Sequence, residues 1–192
     1  MAINLSKGQK IGLTQFNPGL KNIMAGLGWD ISKYDGGSDF RLDAAVFMTG
    51  ASGKVEKDTN FVFYNNRKDE AESVICNSEY RIRYGDGDDE TVNITLDKVP
   101  ADVEKICFTV TIYKADERGQ NFGQVSDAYI RIVNAENGEE FVRYDLGEDF
   151  SVDTAIAIAE LYRYNGEWKF ATIGSGFTGG LAALCENFGV DI

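Results

Sequence analysis

The chain has no histidine among its 192 residues, and this absence limits the chemistry available to it. Histidine is the commonest zinc ligand and the usual general base of serine and cysteine hydrolases. Enzyme classes that need a Ser-His or Cys-His pair are therefore excluded within this chain. The cysteines, Cys76, Cys107 and Cys185, are odd in number and widely spaced, so they predict neither a disulfide framework nor a CxxC metal site.

Long apolar runs are also absent from the sequence. No stretch approaches the roughly 20 apolar residues of a membrane span, and residues 1–5 offer no basic segment before an apolar run. We therefore expect no membrane span and a cytoplasmic protein. Basic residues are few: 31 acids against 19 Lys and Arg give a net charge of -12, which opposes binding to nucleic acid and to anionic lipid. A cation is the expected partner.

Proline is scarce, with 2 residues against 21 glycines, as is typical of a globular chain with many tight turns. Alternation of apolar and polar residues recurs along the chain and predicts eight to ten short strands. Turn signals between these strands predict an all-β fold, an antiparallel β-sandwich, with a short C-terminal helix at residues 179–188. The length suits a single domain over residues 1–192.

Two of the strand predictions rest on distinct arguments. Residues 40–48 alternate, so Arg41 and Asp43 are expected on the polar face of a half-buried strand. Residues 155–164 are rich in alanine, which favours a helix, but the Asn165-Gly166 turn that follows favours a strand, and we predict a strand. The other predicted strands are residues 60–64, 73–76, 80–84, 91–96, 105–113, 129–133, 141–146 and 167–173.

An acidic run, Gly85-Asp86-Gly87-Asp88-Asp89-Glu90, places four carboxylates within six residues. Two unit charges about 4 Å apart interact by about 4 kcal/mol near a protein surface. A hard cation such as calcium would relieve that repulsion, and the two glycines let the backbone fold tightly around it. A solvated Asp-Gly turn explains the same six residues equally well.

An EF-hand does not explain the acidic run, because Thr91 stands where that loop needs glycine and the flanking residues alternate as strands. A calcium site on this chain would instead gather ligands from several strand ends. Asp30, which follows Gly26-Leu27-Gly28-Trp29, and Asp43 are the candidates for further ligands. A solvated carboxylate is the alternative for Asp43.

Seven motifs, taken together and in this order, resemble the TerD family over nearly the whole chain. They are Gly26-Leu27-Gly28-Trp29-Asp30, Leu42-Asp43-Ala44, Asn60-Phe61-Val62-Phe63-Tyr64-Asn65, Gly85-Asp86-Gly87-Asp88-Asp89-Glu90, Gln120-Asn121-Phe122-Gly123-Gln124-Val125, Arg143-Tyr144-Asp145-Leu146 and Glu160-Leu161-Tyr162-Arg163. The resemblance implies a bacterial stress protein associated with tellurium resistance, a calcium-binding β-sandwich and no catalytic activity. It also implies ligands or near-ligands at Asp86, Asp88, Asp89 and Glu90, with Asp30 and Asp43 closing the site.

The chain departs from the family pattern next to the acidic run. Residues 78–84 replace a segment that is rich in oxygen donors in the family, and Arg41 stands where the family usually has aspartate. A guanidinium cannot ligate a cation, but it pairs well with carboxylates. The resemblance to the TerD family implies two calcium ions near the acidic run. We therefore predict that one calcium site is kept here and that the second is weakened or replaced by an arginine-carboxylate network.

The functional expectation is a non-catalytic, calcium-binding stress-response protein that acts as a scaffold or sensor, with other stress-response proteins as partners. Two alternatives stay open at this point. One is an enzyme that uses a carboxylate-bound divalent metal to act on a phosphate or another oxyanion. The other is a metal-independent interaction module in which arginines neutralise the acidic loop.

Overall fold

The computed structural model describes residues 2–31, 40–77 and 87–192, and within them the chain forms twelve strands. In chain order these are β1 (Ile3–Leu5), β2 (Lys10–Gly12), β3 (Asn22–Ile31), β4 (Leu42–Thr49), β5 (Phe61–Val62), β6 (Val74–Asn77), β7 (Glu90–Thr95), β8 (Lys105–Ile112), β9 (Val125–Asn134), β10 (Glu140–Asp145), β11 (Ala155–Tyr164) and β12 (Glu167–Phe177). Two α-helices, α1 (Ala115–Arg118) and α2 (Gly180–Phe188), and three 3₁₀ turns, at Asp58–Asn60, Leu96–Lys98 and Phe122–Gln124, complete the described elements.

The strands form two six-stranded sheets. The first sheet has the order β1-β10-β9-β3-β7-β6, and the second has the order β2-β12-β11-β8-β4-β5. Neighbouring strands are antiparallel except β1 and β10, which run parallel. The all-β, antiparallel sandwich with a C-terminal helix is therefore confirmed, with one parallel pair at the edge of the first sheet.

The main core lies between the two sheets and is built by strict alternation along the central strands. In β8 the inward side chains are Ile106, Phe108, Val110 and Ile112, as the sequence predicts. In β3 they are Ile23, Ala25 and Leu27, and in β7 they are Val92 and Ile94. Side chains at the intervening positions of β3 and β7 therefore lie on the outer face of the first sheet.

A second apolar cluster lies on the outer face of the second sheet, where α2 packs. From the sheet the cluster includes Phe47, Cys107 and Ala157, and from α2 it includes Leu184 and Cys185. The rings of Phe47 and Phe188 stack with their centroids 4.4 Å apart. Every residue of β4 is consequently buried. The strand predicted at residues 40–48 is confirmed as β4, but the prediction that it is half-buried is wrong, because α2 covers the face that the sequence assigned to solvent.

Of the other predictions made from the sequence, some are confirmed and others are only partly correct. Residues 155–164 form a strand as predicted, and the hairpin turn places Asn165 at φ 51° and Gly166 at φ 74°. The strand predicted at residues 60–64 is shortened to β5, because a 3₁₀ turn occupies Asp58–Asn60 and the chain turns back after Val62, where the backbones of Phe63 and Asn66 hydrogen-bond to each other. The strand predicted at residues 80–84 lies outside the described residues. Sequence reasoning missed β1, β2, β3 and α1.

Neither helix of the described ranges has the length and hydropathy that crossing a bilayer requires.

Candidate functional site

The described part of the acidic run, Gly87 to Glu90, lies against the end of β3. Glu90 is opposite Leu27 in the β3-β7 ladder, and the Asp89 backbone N–H donates to the Leu27 carbonyl at 2.7 Å. The Trp29 backbone N–H in turn donates to Oδ2 of Asp89 at 2.8 Å. These two hydrogen bonds hold Asp89 beside Asp30, the next residue along β3. Gly85 and Asp86 lie outside the described residues.

Asp88 lies on the outer face of the first sheet, directly over Gly26. A Cβ built on Gly26 would be 2.4 Å from the Asp88 Cγ, so only glycine leaves room for the carboxylate there. Arg131, which is opposite Gly26 on β9, donates from Nη2 to Oδ2 at 2.7 Å and from Nε to Oδ1 at 2.9 Å. The Tyr129 hydroxyl donates to Oδ1 at 2.8 Å. Both oxygens of Asp88 therefore accept hydrogen bonds from β9.

The surroundings of Asp88 raise the pKa values of its two partners on β9, Arg131 and Tyr129. The hydrogen bond to Asp88 raises the pKa of the Arg131 guanidinium, and Glu140, which accepts from Nη1 at 3.1 Å, adds to that rise. Burial raises the pKa of the Tyr129 phenol, and its hydrogen bond to Asp88 raises it further. Both groups therefore hold their protons across the neutral range and remain donors to Asp88.

Glu90 points the other way, into the space between the sheets. Its side chain belongs to the inward face of β7, and the residue is 5% exposed. Oε2 accepts a hydrogen bond from the Ala44 backbone N–H of β4 at 3.1 Å. A carboxylate in such a buried position requires a polar partner of this kind. Glu90 thus connects the first sheet to the second.

Asp43 follows the alternation of β4 and lies on the outer face of the second sheet. Its inward neighbours, Leu42 and Ala44, belong to the core between the sheets. Nε of Arg41 donates to Oδ1 of Asp43 at 3.2 Å, and the Arg41 guanidinium lies 4.6 Å from the ring centroid of Tyr113. Asp43 lines a cavity of about 300 Å³ between Tyr64, Lys114 and the start of α2.

The TerD domain profile matches residues 1–188 of the chain. The chain belongs to the TerD family. It is 52% identical over 192 residues to general stress protein 16U of Bacillus subtilis, with all of both chains covered. It is 50% identical over 191 residues to the tellurium resistance protein TerD of an Alcaligenes species, covering all of this chain and 99% of that protein.

Solved structures confirm the fold of this TerD-family chain. A homologue of the telluride resistance protein TerD from Streptomyces coelicolor A3(2) superposes with a TM-score of 0.67 at 21% sequence identity. The match covers 85% of this chain and 94% of that one. At this identity the likeness concerns the fold.

The site residues implied by the TerD resemblance are brought together only in part. Asp88, Asp89 and Glu90 lie at the start of β7, and Asp30, which is exposed, lies near them at the end of β3. Asp43 is separated from Asp88, because it faces outward from the second sheet and Asp88 faces outward from the first. Gly87 is described but contributes no side chain.

A calcium ion takes six to eight oxygen ligands, and the oxygen atoms of the described acids can be compared with that number. Within residues 2–31, 40–77 and 87–192, no three carboxylate or thiolate side chains converge on one point that could hold a metal. The described acids have defined partners in the sandwich: Arg131 and Tyr129 for Asp88, Trp29 for Asp89 and Ala44 for Glu90. The described acids alone therefore do not supply the convergent oxygen donors that calcium requires, although Asp30 and Asp89 lie at the same end of the first sheet.

Sequence reasoning missed Gly26, Tyr129 and Arg131 as parts of this site. The sequence predicts a strand at residues 129–133, and the alternation of that strand places Tyr129 and Arg131 on one face. The pairing of β9 with β3, and hence the partner of these side chains, is a long-range contact that no local pattern specifies.

Proposed function

We propose that this TerD-family chain is a non-catalytic, calcium-binding stress-response protein that acts as a scaffold or sensor through its acidic loop. The observation that carries the proposal is that Asp89 hydrogen-bonds to both Leu27 and Trp29, which holds this acid of the run beside Asp30 at one end of the first sheet. Oxygen donors from two strand ends are what a hard cation needs. The resemblance to the TerD family supports calcium as that cation.

We propose one calcium site, which would be held by Asp30 together with the run from Gly85 to Glu90. Bound there, calcium would neutralise the acidic run and tie the ends of β3 and β7 together. Asp43 has a cationic partner of its own in Arg41, and the two lie on the other sheet. This pairing supports the expectation that an arginine-carboxylate contact stands in place of a second ion.

Calorimetry and thermal melting with calcium, magnesium and chelator test the calcium site. Calcium should bind once per chain and raise the melting temperature, since a ligand at 100 times its Kd stabilises the folded state by about 2.7 kcal/mol. Asp30→Asn and Asp86→Asn should weaken this binding. Asp97→Asn is the matched control, because Asp97 lies in the 3₁₀ turn after β7, at the opposite end of that strand, and pairs with Lys21.

A metal-independent interaction module is the second candidate, and the Asp88-Arg131 pair favours it. In this case the arginines supply the positive charge that a cation would supply. A melting temperature that is the same in calcium and in chelator would support this second candidate and contradict the first.

A further inference from the structure

A cavity of about 300 Å³ lies on the outer face of the second sheet, between α1 and the first residues of α2. This volume is within the range of small-molecule sites in proteins. The lining includes Thr111 of β8, the segment from Lys114 to Glu117 and the segment from Gly179 to Leu181. No described residue of the acidic run lines the cavity, so it is separate from the calcium site proposed above.

The helix α2 begins at this cavity without a capping side chain. Its N-cap residue is Gly179, and the N–H of the next residue, Gly180, donates to Oγ of Thr154 at 2.9 Å. The following two N–H groups, those of Leu181 and Ala182, donate to no residue of the described ranges. The first N–H groups of a helix have no partner within the helix, and they attract negatively charged groups.

The buried side chain of Thr111 is a second and independent feature of the cavity. Thr111 is 5% exposed, and its hydroxyl has no hydrogen-bond partner within residues 2–31, 40–77 and 87–192. Thr109, two residues earlier on the same face of β8, differs from it, because the Thr109 hydroxyl donates to the Ala45 carbonyl at 2.8 Å. A buried hydroxyl without a partner costs free energy, and a molecule bound in the cavity would remove that cost.

The charges around the cavity are balanced, although the net charge of the chain is -12. Three cationic side chains lie 4.6 to 5.8 Å from the ring centroid of Tyr113, which lines the cavity, and these are Arg41, Lys114 and Arg118. The acids of the lining equal them in number, and these are Asp43, Asp116 and Glu117. Two of the acids are paired, Asp43 with Arg41 and Glu117 with Lys114. An anion therefore meets less repulsion here than the net charge of the chain implies.

We propose that this cavity binds a small oxyanion of the phosphate class. The N–H groups of Leu181 and Ala182 and the hydroxyl of Thr111 donate to its oxygens, and Lys114 adds positive charge at the opening. A tetrahedral oxyanion presents acceptor oxygens in several directions, and this set of groups consists of donors. The proposal goes beyond calcium binding and does not depend on it.

The test titrates inorganic phosphate into the protein in calcium-free buffer at constant ionic strength, and it compares Thr111→Val with Thr109→Val. The two substitutions are isosteric and lie on the same face of β8, but only Thr111 lines the cavity. Thr111→Val should weaken phosphate binding by about tenfold or more, and Thr109→Val by less than about twofold. NMR shifts of the Leu181 and Ala182 amides during the titration report whether the ion binds at the start of α2.

Thermal melting without phosphate should rank the two variants in the opposite order. Thr109→Val should lower the melting temperature, because it removes a buried hydrogen bond. Thr111→Val should not lower it, because the Thr111 hydroxyl has no partner to lose. A loss of phosphate binding in Thr111→Val is then an effect on the site and not on the stability of the fold.

Lys114→Met tests the contribution of charge, with Lys169→Met as the matched control. Each lysine lies over a tyrosine ring of the second sheet or its end, Lys114 over Tyr113 and Lys169 over Tyr164, but only Lys114 lines the cavity. Lys114→Met should weaken phosphate binding by about threefold or more, whereas Lys169→Met should leave it unchanged. This pair carries the test if circular dichroism shows that a threonine variant does not fold.

Three results would overturn the oxyanion site. They are lack of phosphate binding by the unsubstituted protein, equal phosphate affinities of Thr111→Val and Thr109→Val, and a titration that leaves the Leu181 and Ala182 amide signals unmoved. Because calcium binding is measured separately, each of these results leaves the proposed function standing.

Discussion

Gly26 shows how a single residue sets the geometry of the acidic loop. The Asp88 carboxylate lies where a side chain of residue 26 would begin. A Cβ on Gly26 would lie 2.4 to 2.5 Å from the Cγ and both oxygens of Asp88. Asp88 cannot easily yield, since Arg131 and Tyr129 hold it from the β9 side. The role of this glycine is close approach of a side chain to the sheet, and the Gly-Leu-Gly-Trp-Asp motif is explained in part by that requirement.

We therefore expect Gly26→Ala to displace Asp88 and to lower the free energy of unfolding by about 1 to 3 kcal/mol, as overpacked sites do. Urea unfolding in chelator measures the change without any contribution from calcium. Gly147→Ala is the control, because a Cβ at Gly147 meets no atom within 4 Å. Equal stabilities of the two variants would contradict the fit between Gly26 and Asp88.

At the scale of elements, α2 determines the environment of β4. Leu184 is fully buried and Cys185 is 1% exposed, and both pack on the outer face of the second sheet. The helical spacing of Leu181, Leu184, Cys185 and Phe188 was visible in the sequence, so the helix itself could be predicted. The surface on which α2 packs could not be predicted, because the face of β4 that α2 covers carries residue types that also occur in half-exposed strands.

Leu184→Ala should lower the free energy of unfolding by about 2 to 5 kcal/mol, since it empties a buried site between α2 and the second sheet. Val152→Ala offers a control with a similar aliphatic truncation at a residue that is 71% exposed, and its effect should stay within about 0.5 kcal/mol. Chemical denaturation of both variants checks the difference. A mild effect of Leu184→Ala would mean that α2 contributes little to the fold.

At the scale of the whole molecule, three buried thiols connect stability to pH. Burial raises the pKa of Cys76 from 9.0 to about 12 and that of Cys185 from 9.0 to about 11. Burial also raises the pKa of Cys107. Unfolding exposes these thiols, which then ionise near their ordinary value. Their contribution to stability is therefore complete below about pH 9 and is lost as the pH rises toward the folded-state values.

The free energy of unfolding should accordingly fall between pH 9 and pH 10 by up to about 4 kcal/mol per pH unit, or about 1.4 kcal/mol for each thiol. Urea unfolding under reducing conditions at pH 8, 9, 9.5 and 10 measures this slope. Cys107→Ala should reduce the slope by up to about 1.4 kcal/mol per pH unit, whatever it does to the stability at pH 8. A slope unchanged in that variant would contradict the assignment of the titration to the buried thiols.

The sequence by itself determined the secondary structure of the strongly alternating segments and the family. Period-two alternation at residues 105–113 and the Asn-Gly turn at residues 165–166 are local signals, and both are confirmed. β3 was missed because Gly26 and Gly28 occupy its outward positions, where polar side chains would have shown the alternation. β1 and β2 have three residues each, which is too short for a periodic signal.

Only the tertiary structure decided what the acids of the loop contact. The sequence shows four carboxylates in one run, but Asp88 and Glu90 lie on opposite faces of the first sheet. Side chains two residues apart share a face only within a regular strand. Asp88 precedes β7, so this rule does not apply to it. Their partners, Arg131 and Ala44, are 43 and 46 residues away in the chain. Contacts of that range depend on strand order and register, and these follow from the packing of the whole sandwich.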